Sequence, residues 1–345
     1  MNKTLIYLLI FFVSCGSLIL GSIYWRQAKR DNKISSVPVI TQNTREPIAV
    51  VEKQVLPDMA IESLKQRTYE AGDFVIEEKL TNGSNYSQSI VSYQSEGLKI
   101  YGLLTVPLAE KPAEGFPAII FVHGYIPPKE YSTIDNYPTY QAALARAGFV
   151  TFKPDLRGHG RSEGEAVNNH FSEKYVVDTM SAIAYLKAFD LVDANKIAYW
   201  GHSNGGEIGL RVAIISKDIK AYSLWAGVVG NYTDMFETYL DKIPFLKEND
   251  NILVEKYGKP SDGNEFWSLI EPFNFLNEIP APIQLQHGGQ DDSVPIELSL
   301  SLKKALERAG KSVEYFDYPN DDHNIGQNSS LAFRRTIEFY NKHLK

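Results

Sequence analysis

The sequence predicts an α/β protein, a mostly parallel central sheet with helices on both faces, preceded by an N-terminal transmembrane helix. Three observations carry this. From about residue 86 onward, strand-like and helix-like segments alternate, the pattern of a parallel sheet joined by crossover helices. Ala118–Val122 (AIIFV) is apolar at every position, as a strand covered on both faces requires. Leu5–Trp25 carries no charge, and a helix of about 21 residues rises ~31 Å, the thickness of a bilayer core.

Taken in order, residues 1–30 read as a membrane anchor or signal segment, with Tyr24 and Trp25 placed for an interfacial belt. The apolar run is long for a signal h-region, which favours an uncleaved anchor over a cleaved signal peptide. Phe12-Val13-Ser14-Cys15 offers a weaker lipoprotein reading. The short basic N-tail and polar spacer suit an extracytoplasmic domain, although Arg26, Lys29 and Arg30 pull the other way. Residues 31–85 read as a linker and short extension, with one short helix and a connection inside Met59–Ile76. Residues 86–345 then form one large domain.

Within that domain Ser87–Gln94 and Leu98–Val106 flank a hairpin turn at Ser95-Glu96-Gly97. Strands follow at Ala118–Val122, Phe149–Phe152, Ile197–Trp200, Ala221–Trp225, Ile283–Gln286 and Val313–Tyr318. Helices are expected at Tyr140–Ala147, Lys174–Phe189, Asn204–Ile215, Leu298–Ala309 and Leu331–His343. The helix Lys174–Phe189 places Val176, Val177, Met180, Ile183, Ala184 and Lys187 on one face. Residues 227–280, with Tyr232, Phe236, Tyr239, Phe245 and Phe266, read either as a cap over the site or as a long crossover.

Composition excludes several functions. The 345 residues carry 35 Lys and Arg against 42 Asp and Glu, a formal charge of −7, so no basic excess exists to neutralise nucleic-acid phosphates. The single cysteine, Cys15, lies in the anchor. This excludes a disulfide framework and a multi-cysteine metal site, and leaves oxygen as the nucleophile of the folded part. HExxH, a P-loop and a GxGxxG after the first parallel strand are all absent. No metal or other cofactor is expected.

In parallel sheets, sites form beyond the carboxyl ends of strands. Gly201-His202-Ser203-Asn204-Gly205 stands between a strand and a helix, the setting of a G-x-S-x-G nucleophile elbow. Ser203 is therefore the candidate nucleophile. A serine hydroxyl needs a base, and His323, after the last strand, is the candidate. The acid orienting it is Asp291 or Asp292, after the strand Ile283–Gln286. The oxyanion hole is assigned to the backbone N–H groups of Asn204 and Tyr125, with Gly124 allowing close approach. His123 reads as a structural loop residue. Asp155 and Arg157, in DLRGHGRS (Asp155–Ser162), read as ties within a loop.

These motifs resemble the catalytic domain of the prolyl oligopeptidase (S9) serine peptidases, within the α/β-hydrolase fold. The resemblance rests on WGHSNGG (Trp200–Gly206), HGGQDDSVP (His287–Pro295) and the Asp322-His323 end of YPNDDH. It implies the α/β-hydrolase fold for residues 86–345, and Asp291 rather than Asp292 as the acid. Full-length members carry a propeller, and seven blades need roughly 300 residues. Residues 31–85 are too few for that, so a stand-alone catalytic domain is expected. The expected function is a serine hydrolase acting through an acyl-enzyme on small peptides, with a carboxylesterase or an inactive membrane-tethered binding protein as alternatives.

Overall fold

The computed structural model describes residues 57–167, 172–239, 242–243 and 250–344. The apolar run Leu5–Trp25 and the spacer as far as residue 56 lie outside the described residues. Among the described residues no helix is long and apolar enough to cross a membrane.

Among the described residues nine strands form one sheet in the order β1-β2-β3-β5-β4-β6-β7-β8-β9. They are β1 Val75–Lys79, β2 Tyr86–Ser95, β3 Leu98–Pro107, β4 Phe116–Val122, β5 Val150–Pro154, β6 Val192–His202, β7 Ile219–Trp225, β8 Ile283–Gly288 and β9 Val313–Tyr318. Strands β4 to β9 pair in parallel, and β1, β2 and β3 pair antiparallel at one edge. The hairpin turn is as its sequence predicts. Ser95 pairs with Leu98, and Glu96 and Gly97 sit at φ 51° and 74°, the double left-handed geometry that matches strand twist.

Alternation along β4 shows why its apolar run is continuous. Ala118, Ile120 and Val122 enter one core, while Ile119 and Phe121 enter the other. The first core is covered by α1 (Ile61–Gln66), α3 (Lys174–Ala188), α4 (Asn204–Ile215) and α7 (Ile296–Arg308). The second lies under α2 (Pro138–Arg146) and α8 (Ser329–His343). Every apolar side chain of a doubly covered strand is thus withdrawn from water, at about 25 cal/mol per Å².

The short helix expected inside Met59–Ile76 is α1, with Ile61 and Leu64 fully buried in the first core, but Val75–Lys79, read as connection and extension, is an edge strand. That strand is mostly exposed, so pairing with β2 defines it and no hydrophobic alternation announces it. Helix α3 is buried on nearly every side. Tyr185, Leu186 and Asp178 lie inside, while Ala184 and Lys187, assigned to the inner face, are only partly covered. The segment 227–280 contributes α5 (Asp250–Tyr257), α6 (Glu265–Ile270) and short helical turns, packed around Tyr232, Phe266, Trp267 and Ile270. Among its described residues none walls the cavity that holds Ser203 and His323.

Candidate active site

Strands β4 and β6 are neighbours, yet their connections leave in opposite directions, because β5 lies beyond β4 and β7 beyond β6. A crevice opens beyond the carboxyl ends of strands at such a reversal. Val122 pairs with Gly201 there, which brings His123-Gly124-Tyr125 beside Ser203.

Ser203 occupies the turn between β6 and α4 at φ 55°, ψ −115°, a strained conformation for a residue with a Cβ. The surroundings hold it. Its N–H donates to the Trp225 carbonyl (2.9 Å), and its carbonyl accepts from Gly206 (2.9 Å) and Val228 (3.2 Å). Close packing sets the neighbouring residue type, since a Cβ on Gly205 would lie 2.2 Å from the Val122 carbonyl oxygen.

The acid and base come from the next two loops. His323 Nδ1 donates to Asp291 Oδ2 at 2.8 Å. Asp291 Oδ1 accepts from the Ser293 (2.9 Å) and Val294 (2.8 Å) N–H groups. Burial pushes this carboxyl up, but the contacts with His287 and His323 and the Val294 N–H outweigh burial and hold it well below the usual carboxylate range. Asp292 is exposed and its carboxylate accepts from the Ser293 hydroxyl (3.1 Å). The structure thus joins Asp291, not Asp292, to His323.

Ser203 and His323 wall one cavity of about 530 Å³, together with Gly124, Tyr125, Tyr137, Tyr140 and His202. Tyr125 and Asn204 lie at its rim and at the start of α4 respectively. Among the described residues no group of three or more His, Cys, Asp or Glu is arranged to hold a metal ion.

Several supporting residues escaped the sequence reading. His287 is fully buried. Its Nε2 donates to the Val294 carbonyl and stands 3.0 Å from Asp291 Oδ2, while Nδ1 meets the Ser299 hydroxyl at 2.7 Å. Asp321 is fully buried and accepts from the Gln327 (2.7 Å) and Asn328 (3.1 Å) N–H groups, fastening the loop that presents His323. His287 opens the HGGQDDSVP motif four residues before Asp291, whereas nothing local in the sequence marks Asp321. His202 donates to the His323 carbonyl and meets Tyr137.

His123 is a structural residue as its sequence reading expects, whereas Asp155 and Arg157 tie their loop to other elements rather than within itself. His123 is buried, its ring facing the Gly124 and Asp155 carbonyls at 2.7 and 3.2 Å, and burial lowers it to about 3. Asp155 accepts from Tyr131 (2.9 Å) and Thr133 (2.6 Å), and burial raises it to about 6. Arg157 grips Asp178 through Nε–Oδ2 (2.9 Å) and Nη2–Oδ1 (2.6 Å), with Glu96 Oε2 at 2.9 Å.

The fold, and a nucleophile elbow facing a histidine–aspartate pair, define a class: a serine hydrolase of the α/β-hydrolase fold. The prolyl oligopeptidase family, Peptidase S9, matches residues 136–345. The chain belongs to that family. It is 30% identical over 234 residues to "Uncharacterized peptidase YtmA" of Bacillus subtilis, covering 68% of this chain and 84% of that protein. It is 26% identical to "Acylamino-acid-releasing enzyme 2" of Oryza sativa, with 66% of this chain but only 30% of that protein covered. Among solved structures, an acetyl xylan esterase from Paenibacillus sp. R4 superposes with a TM-score of 0.63 at 19% identity, over 81% of this chain and 91% of that one. The acylaminoacyl peptidase of Pyrococcus horikoshii gives 0.60 at 19%, over 81% of this chain and 51% of that one. At those identities the likeness is one of fold.

Proposed function

We propose that the chain hydrolyses small peptides through an acyl-enzyme on Ser203. The Ser203 oxygen bonds to the substrate carbonyl carbon while its proton passes to His323. The C–N bond then breaks, and His323 returns the proton to the leaving amine. Water repeats the sequence, ending with a free acid and the regenerated serine. Asp291 keeps the His323 proton on Nδ1 and stabilises the imidazolium. The backbone N–H groups of Asn204 and Tyr125 receive the oxyanion.

The observation that carries this reading is the strained Ser203 facing, across one cavity, a histidine whose far nitrogen lies 2.8 Å from a buried carboxylate. Labelling by a fluorophosphonate tests it. Wild type labels and Ser203→Ala does not. Equal labelling of both, or of neither, sinks the proposal and leaves the binding-protein alternative.

Membership in a peptidase family supports amide cleavage. A second reading, carboxylesterase action on small acyl esters, draws support from the acetyl xylan esterase, 91% of whose chain superposes. Turnover of aminoacyl-p-nitroanilides beside p-nitrophenyl esters decides between them, and turnover of esters alone selects the second. The uncharged run Leu5–Trp25 supports a single-pass anchor, and the short basic N-tail with the polar spacer supports an extracytoplasmic catalytic domain. Carbonate extraction tests the anchor, and protease accessibility in intact cells tests the side. Release by carbonate, or protection of the domain from external protease, overturns these two points.

A further inference from the structure

We infer that Tyr137 and His202 form a one-way hydrogen-bond relay that ties the Gly124-Tyr125 loop to the loop carrying His323, and so sets the spacing between oxyanion donor and general base. The inference rests on the catalytic reading of Ser203, His323 and Tyr125 just given, and it makes Tyr137 and His202 positioning residues.

The relay is a chain of three bonds. Gly124 N–H lies 3.0 Å from the Tyr137 hydroxyl oxygen, that oxygen 2.7 Å from His202 Nδ1, and His202 Nε2 2.9 Å from the His323 carbonyl oxygen. Chemistry fixes its direction. A carbonyl oxygen only accepts, so Nε2 of His202 carries the proton. A neutral imidazole has one N–H, which leaves Nδ1 bare and makes the Tyr137 O–H its donor. The Tyr137 oxygen is then free to accept from Gly124. Each group uses one donor and one acceptor, and no member can turn round without leaving a buried polar atom unpaired.

The ring has reason to stay neutral. Burial, then the neighbouring His323, lowers it to about 3. The titratable groups around it are Tyr137 just before α2, His323 after β9, His287 in β8 and Asp291 in the loop after β8. Trp200 stacks against it at 6.3 Å and 16°. A protonated ring would present two N–H groups to Tyr137 and the carbonyl, and reverse the Tyr137 hydroxyl.

The anchor of the relay is itself held under strain. Tyr137 is left-handed, at φ 62° and ψ 28°, a conformation uncommon for a bulky residue. The buried Lys153 ammonium donates to the carbonyl of Asn136, just before it. The Asn136 side chain in turn accepts from the Ser132 N–H at 2.6 Å. Space is equally tight at the other end. A Cβ on Gly124 would lie 2.6 Å from the Tyr137 hydroxyl and 3.0 Å from Ser203 Cβ, so glycine lets the loop approach the nucleophile and the hydroxyl together.

The test uses the full-length chain in detergent, with Tyr137→Phe, His202→Leu and His202→Gln. The readouts are p-nitrophenyl ester kinetics and affinity for a boronic acid that mimics the tetrahedral oxyanion. Tyr137→Phe and His202→Leu are expected to lower kcat about 10- to 100-fold and weaken the boronate similarly, with KM within about twofold. His202→Gln, whose amide can accept from Tyr137 and donate to the His323 carbonyl, restores kcat to within about fivefold of wild type. Lower melting temperatures with kcat and boronate affinity unchanged would make the pair merely structural and overturn the inference. A second measurement does not need turnover. Nitrogen-15 spectra should show His202 protonated at Nε2, bare at Nδ1, and not titrating between about pH 5 and about pH 9. An Nδ1–H form, or titration in that range, overturns the relay whatever the activity. Unchanged turnover in Ser203→Ala overturns the proposed function instead, and leaves the spectrum to judge the relay.

Discussion

Asp291→Asn tests the site where structure and chemistry are most tightly joined. Asparagine keeps one oxygen, which retains the Ser293 and Val294 N–H groups that Oδ1 holds at 2.9 and 2.8 Å. The loop therefore stays in place, and the melting temperature is expected to move by no more than a few degrees. The other atom becomes an NH2 facing His323 Nδ1, where Oδ2 now stands at 2.8 Å. Two donors cannot share that contact, so His323 moves its proton to Nε2 and can no longer accept one from Ser203. The charge is lost as well. Unit charges 2.8 Å apart attract by about 6 kcal/mol at an effective dielectric of about 20. Spreading the imidazolium charge over its ring brings this to about 4 kcal/mol, a rate loss of about 10³. The assay is kcat/KM on p-nitrophenyl acetate, with Ser203→Ala as the background. A loss below about tenfold in a folded variant refutes the reasoning, as does an equal loss in Asp292→Asn.

Other outcomes follow from the same contacts. Asp292→Asn, on an exposed carboxylate that accepts from its neighbour's hydroxyl, is expected to change kcat/KM less than about twofold; a loss near that of Asp291→Asn would reverse the assignment. Asp178→Ala strands the Arg157 guanidinium, which pairs with a fully buried carboxylate. It should cost about 3–5 kcal/mol in urea unfolding, and a cost under about 1 kcal/mol would show that Glu96 suffices as partner. Lys153 is fully buried and burial lowers it to about 8, below its unfolded value of about 10.4. The unfolded chain then binds the extra proton between those values, so the ammonium costs stability below about pH 8 and the cost fades as pH rises towards about 10.4. Unfolding of wild type against Lys153→Met at about pH 7.5 and about pH 10 should show wild type gaining on the variant. A constant difference refutes the lowered value.

Local pattern carried much of the design. Strand β9 (Val313–Tyr318) and helix α4 (Asn204–Ile215) run over the residues expected of them, and other shared elements shift at their ends. Helix α2, for example, starts at Pro138, where a proline's fixed φ suits the first turn. Edge strand β1 was invisible because VIEEK is exposed, and only its pairing with β2 makes it a strand. For residues 227–280 the sequence left cap and crossover open for a related reason: aromatic residues reveal burial but not which surface buries them, and Tyr232, Phe236 and Phe266 pack around Trp267.

By itself, then, the sequence determined the kinds of chemistry and their order. A strand–Ser–helix turn, an aspartate loop and a histidine loop are each set by neighbours within a few residues, so periodicity and turn residues reveal them. The tertiary structure decided the pairings. The family resemblance already pointed to Asp291 over Asp292, and the fold brings it to His323 across 32 positions of chain; Arg157 finds Asp178, and Tyr137 finds His202 across 65. Those partners depend on strand order and register, which place distant loops at one end of the sheet. Buried polar groups must be satisfied by whatever that arrangement brings within reach, and no local pattern in the chain records which group it will be.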